Sequence, residues 1–456
     1  MGFSRRSWLR QILTAGTGLV SECGLSGWAE ATSSAISGVP GNPRSPMNGA
    51  KAVDARSYLE GILYTRSEAA NWLAGIDTGY IGEKYDPDVG WVPRESRFRH
   101  GVDGCVCEYT YEPSGSRRMT PYGDRACRIN TYGDSFTHCD QVSDGETWQE
   151  RLAAHLCEPV RNFGVSGHSV YQAYVRMKRE ESRNPARHII LNIYSDDHTR
   201  NLYGWASIAV PRPKIEGRAL RRPTKPYVKI NPARGEFVEL MNPCPTPESL
   251  FNLCDLDWVH EHFKDDLRLK IILAQENIKR GTPENSYEEI AALAREHGIE
   301  LRIESAAALA AALERLYTRA ALFSTMRIVD KVEEFAAAHS KTVLYVLSYT
   351  VADAGSALAT GKRVDQDFVD FLRHKGLPYV DDLQFHKADL NESKLDVRSY
   401  LNRYYIGHYN PLGNVFQAFA LNGKLIEILD PKPIAYPERK SKRTTDDAMV
   451  NPGKLN

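Results

Sequence analysis

A serine placed where a strand turns into a helix is the first residue whose position in this sequence suits chemistry. In Ile129-Asn130-Thr131-Tyr132-Gly133-Asp134-Ser135-Phe136-Thr137, a β-rich run ends at Tyr132, and Gly133 gives the backbone the freedom to reverse sharply. Ser135 then stands beside the first N–H groups of the following helix. Those groups lack intrahelical partners and carry the positive end of the helix dipole, so they can stabilise an oxyanion developing on a substrate carbonyl. Residue type and place suit a nucleophile. The same Asp-Ser pair also suits an ordinary helix N-cap, and the partners supplied by the rest of the chain decide between the two.

Those partners need a scaffold, and the hydrophobic pattern indicates one. From residue 126 onward short apolar runs alternate with amphipathic segments, the pattern of a parallel sheet covered by helices on both faces. Strands are expected over 126–132, 159–163, 187–194, 342–349 and 377–382, and helices over 146–156, 168–180, 308–338, 364–375 and 411–421. The expected fold class is α/β, three α/β/α layers around a central parallel sheet. Sites in such sheets form at the carboxyl ends of the strands, where Ser135, Gly167, Asp196, Ser348 and Asp382 all fall. The excursion at about 196–307 is too long for a structureless loop and reads as an inserted helical subdomain or lid. Its basic, proline-rich part, Arg212 to Lys229, could hold an anionic polymer but reads first as a solvated loop. Ahead of the sheet, residues 50–75 can form a helix. Tyr85–Pro93 is a turn-rich aromatic segment whose Trp91 reads as a packing residue.

The balance of 58 Lys+Arg against 58 Asp+Glu in 456 residues leaves no general basic field, which argues against a nucleic-acid partner. No stretch is long and apolar enough to be a transmembrane helix, so an integral membrane protein is not expected. The N-terminus has the three-part layout of an export signal. Ser4-Arg5-Arg6-Ser7-Trp8-Leu9-Arg10 precedes a weakly apolar stretch ending in Ala29-Glu30-Ala31, and Arg5-Arg6 resembles a twin-arginine signal. The division that follows is a signal peptide over 1–31, a linker over 32–49, a lead-in region over 50–125, the main domain over 126–430 and a flexible tail over 431–456. Export would make the twin-arginine machinery a partner and place the mature protein in the periplasm or outside the cell. Beyond Cys23 seven cysteines remain, so at least one would be free if the others paired within the chain. Cys105-Val106-Cys107 lacks a second pair at zinc-site spacing. Asp134, His138, Asp197 and His198 match no metal-ligand pattern either, so no metal and no cofactor are expected.

Four blocks stand in the order and at the strand ends seen in one superfamily. They are Gly133-Asp134-Ser135-Phe136-Thr137; Asn162-Phe163-Gly164-Val165-Ser166-Gly167 with Gln172; Tyr194-Ser195-Asp196-Asp197 with Arg200-Asn201; and His408-Tyr409-Asn410-Pro411-Leu412-Gly413. Over roughly 80–430 the chain resembles the SGNH (GDSL-type) hydrolases, nearest to their extracytoplasmic carbohydrate esterase and O-acetyltransferase-like branch. The resemblance implies a flavodoxin-like sheet, Ser135 as nucleophile and His408 as the base that takes its proton. It also implies an oxyanion hole built from the N–H groups of Ser135 and Gly167. A glycine at 167 would let a backbone N–H approach the reacting oxygen closely, and a serine needs a nearby base at neutral pH.

Two positions depart from the family pattern. Asp196 stands where the family places an asparagine as third oxyanion donor, and an ionised carboxylate has no proton to donate. Either the carboxyl is protonated in a dry site, or the donor comes from elsewhere, or catalysis is impaired. The family's acid would precede His408 by two or three residues, where this chain has Tyr405 and Ile406. Asp382, or its neighbour Asp381, could orient His408 from a different place, or the site could be a Ser–His dyad. The function expected is an exported serine esterase that removes acyl groups, acetyl foremost, from an acylated carbohydrate or other small ester. Its alternatives are a carbohydrate O-acetyltransferase using the same acyl-enzyme, and a non-catalytic carbohydrate-binding or assembly protein that keeps the fold.

Overall fold

The computed structural model describes residues 52–74, 82–209, 214–215, 218–219, 222–282, 284–299 and 305–436. The signal, the linker and most of the expected tail lie outside the described residues. At the centre are strands β1 (Ile129–Tyr132), β2 (Arg161–Asn162), β3 (His188–Tyr194), β4 (Thr342–Ser348) and β5 (Tyr379–Asp381). They form one sheet in the order β2-β1-β3-β4-β5, and every neighbouring pair is parallel. The protein is α/β, with the flavodoxin-like strand order. In that order the chain runs from β1 outward to β2 and then crosses back to β3, leaving a crevice between β1 and β3 at their carboxyl ends.

Alternating side chains on the strands divide the core into two layers. Ile190, Leu344, Val346 and Val380 face helices α2 (Trp148–Leu156) and α7 (Pro411–Ile428), packing on Trp148, Leu152, Leu421 and Leu425. Ile189, Leu191, Ile193, Val343 and Leu347 face the opposite way. They pack on α3 (Val170–Arg183) and on the 33-residue α5 (Ala306–Ala338), which contributes Leu313, Leu316, Ile328 and Val332. The periodicity of these helices in the sequence follows from this: each has one apolar face turned to the sheet.

Around this sandwich the structure departs from the simpler expectations at four places. Residues 50–75 hold two short helices, Ala55–Glu60 and Arg66–Leu73, capped by Asp54 and Thr65. They bury Leu59 and Trp72 against insertion residues such as Leu250, Val259 and Phe263, giving the insertion an apolar core of its own. The Tyr85–Pro93 segment is an antiparallel hairpin, Glu83–Asp86 with Gly90–Pro93, and Trp91 is buried in it. The described part of the basic run is not a solvated loop. Lys225 is buried, its Nζ donating to the Arg200 carbonyl at 2.5 Å and lying 4.5 Å from the Tyr203 ring centroid, and burial lowers this ammonium to about 7. Proline-rich sequence looks loop-like, but here the buried Lys225 has a carbonyl and a ring to satisfy it. The first residues of the expected tail are also held: Lys432 donates to the Ile426 and Glu427 carbonyls, and Asn422 to the Tyr436 hydroxyl.

The burial pattern yields a direct stability test. Leu344 is fully buried in the interior strand β4, so Leu344→Ala should cost about 3 kcal/mol in urea unfolding. Val364 is 61% exposed, and Val364→Ala should change stability by no more than about 0.5 kcal/mol.

Candidate active site

Ser135 sits where β1 turns into a single helical turn, α1 (Ser135–His138), at the crevice between β1 and β3. Gly133 makes the turn with φ 151°, and a Cβ there would lie 2.2 Å from Thr137 Oγ1 and 2.7 Å from the Asn192 carbonyl. Asp134 is the N-cap, its Oδ1 accepting from the Phe136 N–H at 2.9 Å. The N-cap arrangement and the presentation of Ser135 are therefore one structure, with Asp134 as the cap and Ser135, itself buried, at the start of the turn with its Oγ 3.1 Å from Asp134 Oδ2.

The fourth block comes to the same place. His408 lies just before α7, whose first turn is capped by Asn410 and opened by Pro411, and its Nε2 is 2.9 Å from Ser135 Oγ. The other ring nitrogen, Nδ1, is 3.1 Å from Oε1 of Gln141. The same Oε1 accepts the backbone N–H of His408 at 2.7 Å, while Gln141 Nε2 donates to the His100 carbonyl at 3.0 Å. A backbone N–H can only donate and a carbonyl can only accept, so the orientation of the Gln141 amide is fixed. Nδ1 must then carry the proton, and Nε2 turns a bare lone pair toward the serine hydroxyl. Gly407, with φ 110°, allows the approach, since a Cβ there would lie 2.9 Å from Gln141 Oε1.

Asp382 does not take the orienting role. It is fully buried, accepting from Tyr409 Oη at 3.4 Å and Gln417 Nε2 at 3.2 Å. Burial, together with the neighbouring Asp381, pushes its carboxyl well above the usual range. Asp381 caps the helix Asp382–Ser393 and pairs with Arg363 at 2.6 Å. The carboxylate near the histidine is Asp140, whose Oδ2 lies 3.9 Å from His408 Nε2. Burial alone would raise the Asp140 carboxyl. Hydrogen bonds from His138 Nδ1 at 2.6 Å and Ser166 Oγ at 2.7 Å, with His408 nearby, hold it down to about 2. Asp140 is thus an ionised group beside the pair, on the nitrogen that faces the serine.

Asp196 is also engaged. Its Oδ2 accepts from Arg200 Nη2 at 2.7 Å and from Nε at 3.1 Å. The guanidinium also reaches Asp197 at 2.8 Å and Asp134 at 3.5 Å, so one cation serves three carboxylates beside Ser135. Burial raises the Asp134 and Asp197 carboxyls, and Arg200 opposes that shift at both. Asp196 is an acceptor in an ion pair and supplies no donor to an oxyanion. The positive charge at this end of β3 belongs to Arg200.

Gly167 follows β2 on a loop tied to the serine turn. The Val165 N–H donates to the Gly133 carbonyl at 3.1 Å, and Ser166 bonds Asp140 as described. The lead-in hairpin clamps this loop from outside. Trp91 Nε1 donates to the Ser166 carbonyl at 2.9 Å, and Gln172 Nε2 to the Val89 carbonyl at 2.8 Å. Arg222, paired with Glu83, lies over the Cα of Gly167 so closely that a Cβ would fall 1.6 Å from its Nη1. The remaining ionisable groups near the turn point elsewhere. His138 bonds Asp140 and the Tyr111 hydroxyl, and His198 bonds Thr325 Oγ1 at 2.8 Å. Among the described residues no group of three or more His, Cys, Asp or Glu is arranged to hold a metal ion.

Sequence reasoning missed Gln141, Asp140 and Arg117, whose guanidinium donates to the His138, Cys139 and Val142 carbonyls of the loop that carries the first two. The first two follow α1 on a loop that carries no motif. The only signal in reach was their closeness in sequence to Ser135.

No protein-family model matches the sequence, and no curated protein does. Among solved structures, one similar chain is a protein assigned to the lipolytic G-D-S-L family from Desulfitobacterium hafniense DCB-2. Identity is 8%, coverage is 65% of this chain and 98% of that one, and the TM-score is 0.29. Another is a member of the lipolytic protein G-D-S-L family from Veillonella parvula DSM 2008, with 12% identity, 66% and 98% coverage, and a TM-score of 0.29. The likeness is distant, and the functional reading rests on the geometry of the site.

The Gln141 contact can be tested in any assay that follows the serine–histidine pair. Gln141→Ala should lower the rate at which a fluorophosphonate phosphonylates Ser135, with loss of fluoride, about 10- to 100-fold, because the imidazole loses its fixed tautomer. Gln141→Glu should keep the reaction but move its acidic limb to higher pH. A carboxylate at Nδ1 stabilises the imidazolium, so the free base appears only as the pH rises further.

Proposed function

We propose that this protein is a serine esterase that cleaves acyl esters, acetyl esters of carbohydrate foremost, through an acyl-enzyme on Ser135. The observation that carries this reading is the oriented pair, with His408 Nε2 2.9 Å from Ser135 Oγ and its tautomer set by Gln141. A bare imidazole nitrogen at hydrogen-bonding distance from a serine hydroxyl, in a crevice at the strand ends, is the requirement for nucleophilic acyl transfer.

In the proposed reaction Ser135 Oγ adds to the ester carbonyl while its proton passes to His408 Nε2. The N–H groups of Ser135 and Gly167 receive the oxyanion, and Arg200 contributes positive charge where the family pattern has a neutral amide. Gln141 Oε1 holds the Nδ1 proton throughout. His408 then gives its proton to the departing sugar oxygen, the carbon–oxygen bond breaks, and water repeats the sequence in reverse to free the carboxylate. A neutral amide in place of the usual carboxylate stabilises the imidazolium less, so a slower enzyme than a Ser–His–Asp hydrolase is expected. Asp140, ionised and 3.9 Å from Nε2, partly offsets this by lying close to the imidazolium as it forms. The acetylated carbohydrate, twin-arginine export and a periplasmic or extracellular location are part of the proposal and rest on the sequence motifs.

Purified protein and its Ser135→Ala variant decide the matter on p-nitrophenyl acetate and on acetylated xylo-oligosaccharides. We expect acetate release by the wild type and a loss of at least about 10³-fold in the variant. A folded wild type with no turnover on either substrate would sink the reading. Acetyl appearing on an added sugar in place of free acetate would redirect it to transfer. Arg5→Lys with Arg6→Lys should leave precursor in the cytoplasm, and export of that variant at the normal level would overturn the assigned route.

A further inference from the structure

A second cavity lies between the lead-in hairpin and helix α3, with a volume of about 1010 Å³, which is at the upper end of the range for small-molecule sites. Arg176, on α3, forms part of its wall. This side chain is 2% exposed, and its guanidinium makes one hydrogen bond, from Nη2 to the Gly115 carbonyl at 2.9 Å. Nε and Nη1 have no partner, although both are buried. The guanidinium carbon lies over the Phe163 ring, 5.7 Å from its centroid, a cation–π contact that leaves the Nε and Nη1 donors without acceptors.

The nearby carboxylates do not fill this vacancy in hydrogen bonding. Asp86 and Asp88 bind Arg179 Nη1 at 2.9 Å, and Glu180 binds Arg179 Nε at 3.1 Å. Arg94, on the other wall, has a buried Nε that is also unpartnered. Arg183 and Lys84 stand at exposed positions on the same lining. Glu95 and Glu112 face them, so the cavity as a whole is close to neutral. Its attraction for an anion is local to Arg176. A buried, permanently charged donor with two unused N–H directions is costly unless something accepts from it.

We propose that this cavity binds an oxyanion, a carboxylate or phosphate carried by a small polar molecule, with Arg176 as its principal ligand and Arg94 and Arg183 beside it. The site is separate from the Ser135 crevice and does not depend on the esterase reading. A chain of side-chain contacts links the two. Tyr111 lines the cavity and donates its hydroxyl to His138 Nε2 at 2.8 Å, and His138 Nδ1 donates to Asp140 beside His408. Tyr85 and Tyr111 give the lining flat surfaces on which a sugar ring could rest, which suits an acidic sugar.

Calorimetric titration of the full-length protein with sodium glucuronate and with inorganic phosphate tests this, using glucose as the uncharged control at matched ionic strength. The expected result is saturable one-site binding of at least one anion and none of glucose. Response to glucuronate alone assigns a carboxylate site, and response to phosphate alone a phosphate site. Arg176→Gln should weaken binding about tenfold or more, Arg183→Gln should weaken it severalfold, and Ser135→Ala should bind like the wild type. Absence of binding by both anions, undiminished binding by Arg176→Gln, or loss of binding in Ser135→Ala would each overturn the assignment. If Arg176→Gln fails to fold, the Arg94→Gln/Arg183→Gln double variant takes its place, and unchanged affinity in that protein overturns it equally.

Discussion

A buried guanidinium holds the loop on which the serine–histidine pair depends. Arg117 is 1% exposed, and its Nη1 donates to the carbonyls of His138 at 2.7 Å and Cys139 at 2.9 Å. Its Nη2 reaches the Val142 carbonyl at 2.6 Å, and its Nε pairs with Asp144 at 2.8 Å. These bonds draw the chain after α1 into a tight curl around one cation, with Cys139 and Gln141 in left-handed backbone at φ 64° and 71°. Left-handed conformations at such residues cost roughly 1 kcal/mol or more each, and a charge buried without acceptors costs several times that. The cation's demand for acceptors therefore outweighs the strain. The curl turns Asp140 toward Ser166 and Gln141 toward His408.

The electrostatics around Ser135 come from two arrangements on opposite sides of the turn. On one side, Asp140 stays ionised in a buried place because His138 and Ser166 donate to it. On the other, Arg200 gathers Asp134, Asp196 and Asp197, and the total of one cation against three carboxyls is tolerable because burial raises two of them toward the neutral form. The amide of Gln141 then takes the place at Nδ1 where a carboxylate would add a further charge. A site already holding Asp140 and the Arg200 cluster has little room for another buried anion. This gives a physical reason for a neutral orienting group.

The lead-in hairpin ties the site to the rest of the fold. Trp91 and Val89 bond the loop and helix after β2, and Glu83 anchors Arg222 over Gly167. The same hairpin forms one wall of the cavity at Arg176. A segment that precedes the sheet in sequence thus closes one side of both places where a ligand would sit.

The sequence by itself determined the strands of the sheet and several of the helices that cover it. All five strands, the long helix over Ala306–Ala338 and the placement of Ser135 at a strand end follow from local pattern, because apolar period and turn chemistry act over a few residues. His408 was marked as the partner of Ser135 only by the resemblance to a family. What orients the histidine was decided by tertiary structure alone. Asp382 sits at the end of a strand and has the right chemical type, yet the fold buries it behind Tyr409 and Gln417. Gln141 has no motif around it, but Arg117, 24 positions earlier, and His408, far along the chain, bring it to Nδ1. Asp196 was legible as a carboxylate in a donor's place, and only the folded chain shows Arg200 bound to it. Contacts of that kind join residues distant in sequence, and each is set by how buried charges find partners, which no local pattern records.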